Sequence, residues 1–251
     1  MDLELTGKRA LVTGGSRGIG KAIARELVLE GADVALAARD QARIDATVAE
    51  LTSASGPRVI GTSVDTGDGE SIAAMVKASA DALGGIDILV NAAAQPAGQQ
   101  PAPRWDGVTG EALFEEIRVK VLGYLRVAQA AAPYMIANHW GRIINVSGLA
   151  ARQAVSVIGS VRNVAVSAMS KNLAGELAPH GINVVTVHPG ATRTEATSEE
   201  AAQRPASNLV GRMIDAREVA YVVTFLASPK SVAIDGDMIA AGGGVPGVIH
   251  Y

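Results

Sequence analysis

Three glycines, at positions 14, 18 and 20, stand directly behind the short apolar run Arg9-Ala10-Leu11-Val12 and open a helical stretch from Gly18 to Glu30. Glycine tolerates φ > 0 and carries no Cβ, so a turn of this spacing lets backbone N–H groups approach a bulky anion. The helix that follows adds partial positive charge from its unsatisfied N–H groups. Strand, glycine turn and helix in that order constrain the chain to an α/β architecture whose first crossover faces a phosphate. The same rhythm then repeats. Strands are expected at Asp33 to Ala38, Arg58 to Val64, Ile86 to Asn91, Arg142 to Val146, Ile182 to Val187 and Asp235 to Ala240. Helices are expected at about Asp40 to Ala54, Ser71 to Leu83, Glu111 to Asn138, Ile158 to Ala178 and Asp215 to Pro229. Short apolar strands separated by helices argue a parallel sheet covered on both faces. Right-handed crossovers make it a Rossmann-type doubly wound sheet, a three-layer α/β/α sandwich.

The 251 residues suit one such domain, 1–251, better than two small ones. Aromatics are only 3% of a chain that is 48% hydrophobic, so its core must be built from Ala, Val, Ile and Leu. Two stretches interrupt the rhythm: 95–110, rich in Pro, Gly and Gln, and 192–208, which is polar and reads as a flexible cap. Both follow the carboxyl ends of strands, where ligands sit in this topology, so they are the expected substrate loops. A net charge of −3 with no basic stripe argues against a nucleic-acid partner. No apolar run is long enough to cross a bilayer, and Met1-Asp2-Leu3-Glu4-Leu5 carries acid where a signal peptide carries base. A cytoplasmic protein is the expectation. Cysteine is absent and no His or carboxylate cluster has ligand spacing, so no metal is expected.

The turn residues Gly14, Ser16, Arg17, Gly18, Ile19 and Gly20 are the expected pyrophosphate contacts of a dinucleotide. An NAD site needs a carboxylate at the end of the second strand to take the ribose hydroxyls. Here the strand ends Leu36-Ala37-Ala38-Arg39, with Ala38 in the acid's place. Arg39 and Arg17 together suit a 2′-phosphate, which guanidinium groups clamp through charge-assisted bonds, so NADP(H) is favoured over NAD(H). The alternative is that both arginines are solvated, with Asp40 neutralising Arg39.

Thr13 to Gly20 (TGGSRGIG), Asp87 to Asn91 (DILVN), Gly141 to Ser147 (GRIINVS) and His188-Pro189-Gly190 fall in an order that resembles the short-chain dehydrogenase/reductase family, over nearly the whole chain. The resemblance implies hydride transfer between a nicotinamide and a carbonyl or alcohol, often in a homotetramer. It also implies that Asp65 binds the adenine amine and Asn91 supports the adenine-ribose region. Pro189, Gly190 and Thr194, with Thr192 between them, would line the nicotinamide. The family's proton machinery is a Ser after the fifth strand, a Tyr with a Lys four residues on, and an Asn on the preceding helix. Those positions hold other residues here. Gly148 aligns with the Ser, Gly159 with the Tyr, Asn163 with the Lys and Lys120 with the Asn. None of Tyr124, Tyr134, Tyr221 and Tyr251 has Lys four residues on, and Lys171 lies about 12 Å along the helix from Asn163. The usual Asn-Asn-Ala-Gly segment is altered to Asn91-Ala92-Ala93-Ala94.

The candidates left for the chemistry are Ser147, Asn163 and Lys120. Ser147 is either turned into the site or bonded to backbone. Asn163 either holds ribose hydroxyls or is a plain helix residue. Lys120 is either a desolvated acid–base group or a solvent-facing lysine beside its i−4 neighbour Glu116. Ser156 and Ser160 read as helix-start or packing residues, and His188 as a structural histidine. Gly159 leaves an expected empty volume where a phenol ring would stand. Three functions follow: an oxidoreductase on a small carbonyl or alcohol with a non-standard proton relay, a cofactor-binding protein without turnover, or a non-redox enzyme. Asp215 with Glu218 reads as a capping box. The apolar tail to Tyr251 is expected to bury itself against another subunit of a dimer or tetramer.

Overall fold

The computed structural model describes residues 1–54, 56–94, 103–203 and 206–247. In chain order the first half contains β1 (Arg9–Thr13), α1 (Gly18–Leu29), β2 (Asp33–Ala38), α2 (Gln41–Leu51), β3 (Val59–Ser63), α3 (Gly69–Leu83) and β4 (Ile88–Asn91). A long helical arm follows, made of α4 (Gly110–Glu116), a π-helical turn (Ile117–Leu122) and α5 (Gly123–Ala137). Then come β5 (Gly141–Val146), α6 (Val157–Leu177) and β6 (Ile182–Pro189). The chain continues through β7 (Thr192–Arg193), α7 (Glu199–Ala202), β8 (Ile214–Asp215), α8 (Ala216–Ala227) and β9 (Met238–Ala241).

Seven strands pair in the order β3-β2-β1-β4-β5-β6-β9, every neighbour parallel. Parallel neighbours need crossovers, and the crossover helices cover both faces. Ile23 and Leu27 of α1 and Val219, Val223 and Leu226 of α8 close one core with Val12, Val34, Val90 and Val185. Met75 and Val76 of α3 and Val127, Ala131 and Met135 of α5 close the other with Leu11, Leu89, Ile143 and Val184. With both faces covered, β5 and β6 are buried along their whole length, while edge strand β9 alternates between exposed and half-buried. Side chains cap the helices as their residue types suggest: Asp40 accepts from Arg43 N–H, and Asp215 with Glu218 forms the expected capping box. The strand order reverses between β1 and β4, so the crevice opens above their carboxyl ends.

Three expectations are corrected. The helix expected from Glu111 to Asn138 is not uniform, because the π turn adds a residue at 117–122, a bonding change that side-chain periodicity does not announce. Segment 192–208 is not structureless: β7 pairs with β8, and Arg193 and Asp215 are joined by an ion pair at 2.7 Å. The last strand starts at Met238 rather than Asp235, whose carboxylate instead accepts the Val184 N–H at 2.8 Å. Residues 95–102, 204–205 and the apolar tail 248–251, on which parts of the loop and subunit-contact expectations fall, lie outside the described residues.

Candidate active site

The turn after β1 lies against the turn after β4. Gly14 has φ +70°, and a Cβ there would stand 2.8 Å from the Ala92 backbone, so only glycine fits. Thr13 Oγ1 locks the contact by accepting from the Ala92 and Ala93 N–H groups at 3.2 and 3.4 Å. A Cβ on Gly20 would come within 2.2 Å of Gly14 O, so this glycine lets α1 start directly on the turn. Ser16 is buried with its carbonyl accepting from Thr47 Oγ1 at 3.3 Å, and Ile19 packs on the core. The Gly18 N–H donates to Glu195 Oε1 at 2.7 Å. That carboxylate is an anion sitting on the first amide of α1.

Arg17 and Arg39 are exposed, and their guanidinium groups have no hydrogen-bond or ion-pair partner among the described residues. Asp40 caps α2 and lies 3.5 Å from Arg43, which removes the proposed neutralisation of Arg39. Asp65 is exposed just beyond β3, with one carboxylate oxygen accepting from Gly67 N–H at 2.9 Å. Pro189 is buried at the end of β6; Thr192 Oγ1 donates to Gly190 O at 3.0 Å, and Thr194 N–H donates to Thr197 Oγ1 at 3.0 Å. Asn91 departs from its expected place. Its side chain is fully buried, donating to Asn145 Oδ1 at 2.9 Å and to Tyr124 O at 3.4 Å. It therefore ties β4 to β5 and α5 inside the protein through its amide nitrogen, while its Oδ1 is buried without a hydrogen-bond partner among the described residues.

The structure brings Lys120, Ser147 and Asn163 together. The π turn carries Lys120 inward to 2% exposure, which rules out the solvent-facing alternative. Its Nζ donates to Asn163 Oδ1 at 2.8 Å and to the Ser147 carbonyl at 3.0 Å. Ser147 Oγ lies 3.2 Å from Asn163 O and 3.3 Å from Asn163 Oδ1, so its proton points back at Asn163. Burial pushes the Lys120 ammonium down to about 7, the nearby Arg162 guanidinium pushes the same way, and Glu116 opposes them. These two bonds leave the protonated form a third N–H for another acceptor, and the neutral form a lone pair.

The neighbours are mostly structural. His188 is fully buried, accepting from Gly148 N–H and lying 3.4 Å from Ser167 Oγ; burial first, then Arg152 and Lys120, holds it down at about 4, so it stays neutral. The space at Gly159 is smaller than expected: a Cβ there would meet Ser156 Oγ at 2.6 Å, because Ser156 caps α6 by accepting the Gly159 N–H. Ser160 Oγ donates to Gln153 O at 3.3 Å. The sequence reading passed over Arg162, which is buried and paired with Glu116, and Tyr124, whose hydroxyl donates to Val146 O at 3.0 Å. It passed over Glu195 too. A charged residue between Val161 and Asn163 was the available signal for Arg162; a glutamate one residue beyond Thr194 carries none.

Residues 8–205 match the family model described as short chain dehydrogenase. The chain is 33% identical over 265 residues to the 3-oxoacyl-(acyl-carrier-protein) reductase FabG of Aquifex aeolicus, covering 98% of this chain and 100% of that protein. A short chain dehydrogenase from Burkholderia cenocepacia in complex with NADP is 33% identical with a TM-score of 0.85, covering 96% of this chain and 98% of that one. The L-sorbose reductase of Gluconobacter frateurii, complexed with NADPH and L-sorbose, is 28% identical with a TM-score of 0.91, covering 99% and 100%.

The depressed Lys120 makes a stability prediction with a definite sign. The unfolded chain keeps this lysine protonated up to the ordinary lysine value of 10.5, whereas the folded protein releases the proton near 7. Between those values the unfolded state binds more protons, so stability from this residue rises with pH, by at most about 1.4 kcal/mol per pH unit. Lys120→Met abolishes the effect. The melting-temperature difference between variant and parent is therefore expected to be largest at or below neutrality and to shrink as pH rises, and a difference that stays constant with pH would show an ordinary lysine.

Proposed function

This chain belongs to the short-chain dehydrogenase/reductase family, and on that footing we propose that it is an NADP(H)-dependent oxidoreductase in which Lys120 carries the proton that the family's tyrosine carries elsewhere. One observation carries this reading. Lys120 Nζ lies 2.8 Å from Asn163 Oδ1, so the residue types of the relay position and the lysine position are exchanged across a direct contact. The ammonium is delivered to the site from the opposite helix.

The amides of Gly18, Ile19 and Gly20 would hold the pyrophosphate beside Gly14, whose own N–H donates to Ala37 O at 2.7 Å, and Arg17 and Arg39 the 2′-phosphate. Two features support the fit: the Glu195 carboxylate on Gly18 N–H shows an amide already aimed at an anion, and both guanidinium groups are free of partners among the described residues. The relatives with NADP and NADPH bound support it further. Pro189, Gly190, Thr192 and Thr194 would lie beside the nicotinamide, with Asp65 at the adenine end. When bound, the nicotinamide supplies or accepts the hydride. The protein's own part is the proton. In the reducing direction the Lys120 ammonium donates through its third N–H to the oxygen of a carbonyl; in the oxidising direction the neutral amine takes the proton of an alcohol. Asn163 Oδ1 and the Ser147 carbonyl hold the nitrogen still, and Ser147 Oγ holds Asn163. The substrate is a small or medium carbonyl or alcohol. The whole chain acts as one domain, in a homo-oligomer for which the exposed Val157, Val161 and Val164 of α6 and Phe114 of α4 offer one apolar surface. The near-complete burial of Lys120 favours a second reading, a cofactor-binding relative without turnover.

Mixing the protein with NADPH and a panel of ketones, quinones and aldehydes separates the two readings by loss of NADPH absorbance. Turnover is expected, falling as pH rises through about 7 when Lys120 loses its proton. Lys120→Met is expected to cost about 10²- to 10⁴-fold in rate. NADPH binding without turnover across the panel selects the silent reading.

Cofactor affinity supplies an independent check with two opposite signs. Arg39→Ala is expected to weaken NADPH about tenfold and leave NADH unchanged, because only the 2′-phosphate loses a charged partner. Glu195→Gln is expected to tighten both dinucleotides a few-fold, since a neutral amide competes less well for Gly18 N–H. Calorimetric titration reads both; an unaltered NADPH constant in Arg39→Ala would refute the assignment.

A further inference from the structure

Two buried contacts join the same pair of helices side by side. Glu116, at the end of α4, makes an ion pair with Arg162 of α6. Four residues on, Lys120 bonds Asn163, the next residue of α6. The Glu116 and Arg162 side chains are only 10% and 7% exposed, and Arg162 Nε is buried with no hydrogen-bond partner. Taking two charges out of water is costly, and a well-packed apolar pair of similar volume commonly holds two helices at least as well. Helix α6 has valines at 157, 161 and 164 facing outward, so the inward charge is not forced by a polar helix. A buried pair kept beside the one buried ammonium of the site points to a task there.

We propose that Glu116 and Arg162 are positioning residues for the reaction: their ion pair fixes the distance between the two helices that hold Lys120 and Asn163, and balances the field at the Lys120 nitrogen. The proposal rests on the reading of Lys120 as the proton carrier. Every charged or titratable group facing Lys120 enters that balance. On its own arm these are Glu116, which favours the ammonium, and the Tyr124 ring, whose centroid is 6.0 Å from Nζ. From α6 comes Arg162, which disfavours the ammonium, and from β6 comes His188, held neutral by its own burial. Removing either member of the pair therefore moves Lys120 in a direction set by the charge left behind, whereas a purely mechanical strut would give no such sign.

The test reads Lys120 directly. Protein labelled with ¹³C-lysine is titrated by NMR, and the Lys120 Cε signal is assigned by its loss in Lys120→Met. Glu116→Gln is expected to lower the Lys120 midpoint and Arg162→Gln to raise it, each by about one pH unit or more, while Arg162→Lys, which keeps the cation, holds it near the parent. A midpoint that does not move, or moves the same way in both, overturns the proposal. Because unpairing a buried charge threatens folding, Glu116→Leu combined with Arg162→Met gives a second measurement on a protein expected to melt no lower than the parent. Its Lys120 midpoint is expected to rise, because the opposing influence of Arg162 on Lys120 outweighs that of Glu116; a midpoint that falls or stays where it was overturns the proposal. If the parent turns over no substrate, the proton-carrier reading fails on its own, and the titration still decides whether the pair sets the state of Lys120.

Discussion

A lysine with almost no contact with water has to be held by acceptors, and the structure around Lys120 is organised by that requirement. Its two hydrogen bonds run to a side-chain oxygen on α6 and to a main-chain carbonyl just after β5, so one ammonium ties three elements to one point. Burial, with Arg162 pushing the same way and Glu116 against it, brings the ammonium down to about 7 instead of the value of a solvated lysine. Such a group detracts from stability while it is charged. Retaining it in a core otherwise made of Ala, Val, Ile and Leu is the kind of local cost that functional sites carry.

The fold explains why this point coincides with the crevice. Strand order reverses between β1 and β4, so the chain leaves their carboxyl ends in opposite directions and cannot close over the gap. The glycine turn needs the backbone of Ala92 as its neighbour, and Thr13 bonds both amides beyond β4, so this side of the crevice is built from paired turns rather than from one loop. On the other side, Ser147 leaves β5 where Asn163 passes on α6. The two halves meet because parallel strands in register bring their ends to one level.

Much of this was legible in the residues. The alternation of apolar runs and helices, the turn glycines and the caps at Asp40 and Asp215 are local signals, and each appears where its residue type demands. The positions of Lys120, Ser147 and Asn163 were legible as departures from a family pattern, but what they do to one another was not. A lysine four residues after a glutamate reads as a helical salt bridge. Here the glutamate pairs across to Arg162, and the π turn swings the lysine inward. Asn91 misled in the opposite sense: a polar residue at a strand's carboxyl end reads as a ligand contact, yet it is consumed in joining β4, β5 and α5. Gly159 reads as a void, and the Ser156 hydroxyl occupies the direction its side chain would take.

Local chain properties determined the architecture by themselves: short continuous apolar runs and longer helical stretches select strand and helix, and glycine placement selects the turn, because these act within a few residues. They also determined that a lysine replaces an asparagine, and an asparagine a lysine. Only the tertiary structure decided that those two residues touch, that the ammonium is dry, and that its neighbours' charges oppose one another. Those outcomes depend on which helices pack across the sheet and on how much water packing excludes, and electrostatic energy follows distance and burial rather than sequence separation.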